Sequence, residues 1–170
     1  MAASGATAQR IASLSPDAGE AWWWFGSLAL IKVGSAQSEG KYSLIEVLHA
    51  AGLGVPLHVH TREDGLFYVL EGQIAYTVRD LQAEVSAGQT IFCSENIPHG
   101  FTITSAPPAR YLIVYTPAGF EGFIRDTSLP ASQLMLPPPA SPPSPDQLEA
   151  LSRMMQDRYG CHWYTDAKAK

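Results

Sequence analysis

The chain has 170 residues, 46% hydrophobic and 16% charged, with a formal net charge of −5. This composition suits one domain with a sizeable core and excludes a disordered chain. No lysine or arginine cluster offers a footprint for nucleic acid, and the longest apolar run, residues 21–31, is broken by Gly26 and Ser27 and is too short to cross a bilayer.

Residues 1–20 read as an N-terminal extension. Arg10 precedes no apolar stretch, so a secretory signal is not indicated and a cytosolic location is the default expectation. The aromatic-rich segment 22–33 then reads as one buried strand. Further β-prone runs cover 42–49, 57–60, 66–71, 73–79, 90–93, 100–104 and 111–116. Gly-rich or Pro-rich breaks separate them, such as Gly52 with Gly54, Gly72, Gly88 and Pro107 with Pro108. Short strands at this spacing predict an all-β sandwich or barrel over 21–128, closed by a helical turn near Phe120 and Phe123.

Residues 129–170 change character. The stretch 136–145 is proline-rich and favours a stiff polyproline II spacer. Ser144 then suits an N-cap, Pro145 the first helical position, and Asp146 and Glu149 the positive end of a helix dipole. Leu148, Leu151, Met155 and Tyr159 make one apolar stripe, and Gly160 is placed to end the helix. That helix is expected to pack on its own barrel, with a lid or a dimer contact as the alternatives.

The chemistry concentrates in His58-Val59-His60 and in Pro98-His99. Side chains alternate along a strand, so His58 and His60 share a face and can chelate one metal, with His99 from another strand as the third ligand. Cys93 and Cys161 are too few and too far apart for a disulfide framework, and Cys93 reads as a small buried hydrophobe. His49 and His162 have no partner motif and read as structural or surface residues. Trp22 and Trp24 face one way along their strand. Trp23 and Phe25 face the other, so that one face packs a core and the other makes a dimer or rim contact, or one of the two faces, with Phe67 and Phe101, lines an aromatic pocket for a hydrophobic organic ligand.

Gly54, His58, His60 and Gly72, followed by Gly88 and His99, resemble the two motifs of the cupin family over roughly residues 21–123. Two positions of the second motif depart from it, with Ser94 and Asn96 where relatives have proline and glycine. A larger departure lies at Gly65, which occupies the place of the family's metal-ligand glutamate. The resemblance implies a single jelly-roll barrel and, commonly, a homodimer. It also implies an inward set of His58, His60, Phe67, Val69, His99, Phe101 and Ile103, with Tyr68 and Leu70 outward. It implies a divalent transition metal, iron, nickel, manganese, copper or zinc, held by His58, His60 and His99, or no metal where the missing ligand abolishes binding. Loss of the carboxylate is expected to open volume at Gly65 for substrate. Glu63 and Asp64 read as solvated turn residues, with a rearranged turn that brings one of them to the metal as the alternative. Metal-dependent oxygenation of a hydrophobic small molecule is the leading expectation. A natural-product cyclase or isomerase and a non-catalytic ligand-binding cupin are the alternatives.

Overall fold

The computed structural model describes residue 15, residues 17–79 and residues 81–164. Most of the expected N-terminal extension and the last six residues therefore lie outside the described residues. Among the described residues, twelve strands and three helices follow in the order β1 (Glu20–Trp24), β2 (Ser27–Val33), α1 (Ser35–Ser38), β3 (Ser43–His49), β4 (Gly54–His60), β5 (Asp64–Glu71), β6 (Gln73–Val78), β7 (Leu81–Ser86), β8 (Thr90–Cys93), β9 (His99–Ile103), β10 (Ala109–Thr116), α2 (Glu121–Thr127), β11 (Leu129–Pro130), α3 (Pro145–Tyr159) and β12 (Cys161–Trp163). One sheet runs β11-β1-β2-β3-β10-β5-β8 and the other β12-β4-β9-β6-β7. All pairings are antiparallel. The fold is the all-β, two-sheet barrel that the strand spacing predicts, in the jelly-roll form that the family resemblance implies.

Alternation sets the core. Along β5 the side chains of Phe67 and Val69 are buried while Leu66 and Tyr68 are exposed, and along β10 Tyr111, Ile113 and Tyr115 are buried. These residues meet Ile45 and Val47 of β3 and Ile74, Tyr76, Phe101 and Ile103 of the opposite sheet in one cluster. Each such side chain contributes about 1.5–3 kcal/mol on leaving water.

Two expectations need correction here. Residues 22–33 are a hairpin rather than one strand, because Phe25 (φ 46°) and Gly26 (φ 80°) both occupy the left-handed region and Trp24 pairs with Ser27. That is the geometry of a two-residue type I′ turn, masked in the sequence by a run of aromatic residues. In addition, β7 falls in none of the expected runs. Val85 is its one deeply buried side chain, so its apolar alternation is faint.

The C-terminal helix has the caps its sequence predicts. The Ser144 side chain accepts from Gln147 N, the Gln147 side chain bonds back to Ser144 N, and Gly160 closes the helix at φ 63°. Its apolar stripe turns onto its own barrel, burying Met155 and half-burying Leu151 and Tyr159. Gly160 then redirects the chain into β12, which pairs with β4 so that Cys161 faces His60 and Trp163 faces His58. Thr61 N (2.8 Å) and Thr61 Oγ1 (2.7 Å) both donate to the Gly160 carbonyl, and Arg62 donates to the Arg158 carbonyl at 2.7 Å. Helix and strand together roof the barrel above the histidines.

Candidate metal centre

β4 delivers His58 and His60 to the barrel interior and β9 delivers His99, which pairs directly with His58 across the ladder. All three are buried, and one ring nitrogen from each lies within 4.8 Å of the others. Ring centroids are 4.4 Å apart for His58 and His99, 5.0 Å for His58 and His60, and 5.5 Å for His60 and His99.

The orientation of each ring is fixed from behind. His58 Nδ1 lies 2.8 Å from the Pro56 carbonyl and His99 Nδ1 lies 2.9 Å from the Ile97 carbonyl. A carbonyl can only accept, so both Nδ1 atoms carry the proton. His60 Nδ1 lies 2.5 Å from Glu63 Oε1. In neutral His58 and His99 the lone pair therefore resides on Nε2, the tautomer suited to metal ligation, and His60 takes the same tautomer when Glu63 is ionised and accepts its Nδ1 proton. Burial, helped by the neighbouring imidazoles, pushes His58 and His60 down to about 3, and burial also lowers His99. The cluster is uncharged at neutral pH and ready to accept a cation.

Glu63 is not a solvated turn residue. It is 5% exposed, and burial pushes its carboxyl up to about 7 against the opposing pull of Arg62. The turn after β4 is pinned to Gly160 through Thr61, which folds the Glu63 side chain inward beneath β12 and onto His60. Asp64 takes a different role, accepting from Glu95 N at 2.8 Å.

A cavity of about 290 Å³ opens beside the cluster. His58 and His60 form part of its wall, and His99 does not line it. Trp24, Phe67 and Phe101 line it as the sequence suggests, together with His49, Tyr111, Tyr115, Phe120, Phe123 and Trp163, under Leu148, Leu151 and Met155 of α3. Tyr115 and Phe120 lie 5.4 and 4.5 Å from the His60 ring. Trp22 is absent from the wall and packs half-buried against the core. A second, shallower depression of about 390 Å³, bounded by Leu57, Thr77, Gln82, Glu84 and Thr102, contains none of the three histidines.

Gly65 also needs correction. It does not open space beside the histidines, because a Cβ there would meet Phe67 at 3.3 Å and Tyr115 at 3.5 Å. The two rings already fill the volume, and Gly65 is not part of the cavity wall. Sequence reasoning also missed β12, whose three residues carry too little pattern to read as a strand. The signal that would have found Glu63 is its position three residues after His60, within reach of that ring across the turn.

Residues 44–115 match the family described as Cupin domain. No curated protein matches the chain. Among solved structures it resembles the polyketide cyclase RemF from Streptomyces resistomycificus, with a TM-score of 0.55 and 21% identity over 62% of this chain and 79% of that one. It also resembles KdgF from Halomonas sp., with a TM-score of 0.53 and 17% identity over 59% and 91%. An RmlC-like cupin from Shewanella frigidimarina gives a TM-score of 0.50 and 17% identity over 57% and 81%.

Proposed function

Because the chain is a single-domain cupin, we propose that it is a metal-dependent enzyme acting on a hydrophobic, ring-bearing small molecule through His58, His60 and His99. The observation that carries this reading is the set of three Nδ1 atoms, each held by an oxygen behind it, which fixes the three rings with Nε2 free to meet an ion, His60 doing so with Glu63 ionised. A divalent transition ion there would supply Lewis-acid polarisation of a substrate oxygen and, if redox-active, activation of dioxygen.

The chain's own residues supply the rest. Trp24, Phe67, Phe101 and Phe120 offer flat apolar faces that orient a ring system, and α3 with Trp163 keeps bulk water from the histidines. Glu63 holds the proton of His60 Nδ1 and keeps that ring from turning.

Oxygenation is the leading reaction class, since three histidines leave coordination positions free for a chelating substrate. Cyclisation or isomerisation is the second reading. The observation favouring it is a largely apolar aromatic wall with no carboxylate at Gly65, where shape does most of the catalytic work. A non-catalytic binding role is the third.

Metal analysis and oxygen uptake separate them. One equivalent of transition metal after purification, lost in His58→Ala, supports a metalloenzyme. Oxygen consumption with enediols, diketones or thiols then marks an oxygenase, and turnover that persists without oxygen marks a cyclase or isomerase. Metal near zero, with ligand binding unaffected by His58→Ala, overturns the metalloenzyme in favour of a metal-free cyclase or a binding protein. A cytosolic homodimer is proposed alongside. Leu66, Tyr68 and Phe92, exposed together on the outer face of the seven-stranded sheet, support the dimer.

A further inference from the structure

We infer that Glu63 is the carboxylate that balances the charge of a metal held by His58, His60 and His99, acting through His60 as a positioning residue rather than as a ligand. The inference rests on the three-histidine reading above and goes beyond it by explaining how a site without the family glutamate retains a dication.

Three neutral imidazoles leave a dication uncompensated in a buried pocket, where charge is costly. Among the residues near the cluster, Asp64 caps Glu95 N, the buried Glu121 accepts from Ser35 N and Gly119 N, and the Gly65 position is filled by Phe67 and Tyr115. Glu63 is left, buried and 2.5 Å from His60 Nδ1. Arg62, the adjacent cation, turns away to the carbonyls of Arg158 and Asp157 at the end of α3, so it does not serve as the partner of this acid. A carboxylate that accepts the Nδ1 proton raises the basicity of Nε2 on the same ring and fixes its plane. His58 and His99 have only neutral carbonyls behind them, which makes His60 the strongest donor of the three.

The test is a Co2+ titration of metal-free protein, followed by the visible absorption of the bound ion, with thermal melting of the metal-free form in parallel. Wild type is expected to bind one equivalent. Glu63→Gln is expected to leave the metal-free melting curve close to wild type and to weaken Co2+ binding about 10- to 100-fold. Glu63→Asp, which keeps the charge but retracts it by one methylene, should recover part of that loss. If Glu63→Gln does not fold, an intermediate constant for Glu63→Asp decides in favour, and an unchanged one decides against. Equal affinity in wild type and both variants overturns the role of Glu63 and leaves the three-histidine reading standing. Failure of wild type itself to bind Co2+ overturns both.

Discussion

Trp163 lies across the β12–β4 ladder from His58, with ring centroids 6.4 Å apart, and its indole Nε1 donates to Ser152 Oγ at 2.9 Å. One side chain thus forms cavity wall and ties β12 to α3. Its neighbour Cys161 is fully buried opposite His60, with a thiol that burial and Glu63 push above its usual range. Trp163→Ala removes both packing and the hydrogen bond, at a cost of about 2 kcal/mol for a partly exposed indole. That raises the open population of the roof roughly 30-fold. Cys161 should then react roughly 30-fold faster with a thiol reagent, while Cys93, paired against Gly65 on the far sheet, keeps its rate. Equal rates for Cys161 in wild type and variant would show that Trp163 does not hold the roof.

His49 carries the pH dependence that can be tested apart from metal. It is 5% exposed, its Nδ1 lies 3.0 Å from the Tyr111 hydroxyl, and burial lowers it to about 4 from an ordinary 6.5. Between those values the unfolded chain takes up a proton that the fold refuses, so the unfolded state binds more protons and stability rises with pH. The contribution is fully present above about 6.5 and is lost as pH falls toward 4, in all about 3 kcal/mol. Urea unfolding of metal-free protein at several pH values should give a steeper pH dependence for wild type than for His49→Gln. Identical slopes would mean that His49 protonates within the fold.

Much of the barrel was legible because it rests on alternation. The facing of Phe67 and Val69 against Tyr68 follows from period two, and the caps of α3 follow from Ser144, Pro145 and Gly160. The shared face of His58 and His60 likewise follows from period two, while the approach of His99 was implied by the family resemblance. What stayed hidden depends on contacts between distant segments. The turn that carries Glu63 is pinned to Gly160 through Thr61, Trp163 reaches His58 through β12, and the volume at Gly65 is taken by Phe67 and by Tyr115 from β10. No local pattern encodes such pairings. The I′ turn at Phe25 and Gly26 is a different case, since the unusual φ falls on a bulky residue that rarely adopts it.

The outer face of the seven-stranded sheet gives a third prediction. Leu66 pairs with Phe92 and Tyr68 with Thr90, so Leu66, Tyr68 and Phe92 form an exposed apolar patch running to the β8 edge. A second copy of the chain is the occupant expected by the dimer proposal. Leu66→Lys with Phe92→Lys should convert a dimer to a monomer in sedimentation while leaving the far-ultraviolet spectrum unchanged. A wild-type chain that sediments as a monomer removes the dimer from the proposal.

Restoring the family glutamate at its own position should fail, and the reason separates this chain from its relatives. At Gly65 a Cβ already meets Phe67 at 3.3 Å and Tyr115 at 3.5 Å, so the remaining atoms of a glutamate must displace rings that pack in the core. Overpacking of that kind costs about 1–3 kcal/mol, to which burying a second acid close to Glu63 adds repulsion. Gly65→Glu is therefore expected to lower the melting temperature by several degrees and to leave Co2+ affinity no better than wild type. Gly65→Ala, which needs only a few tenths of an ångström from Phe67, should cost much less. Tighter Co2+ binding in Gly65→Glu with an unchanged melting curve would mean that Phe67 and Tyr115 yield readily. The acid of this site would then be free to sit on the metal itself, and the placement of Glu63 behind His60 would lose its rationale.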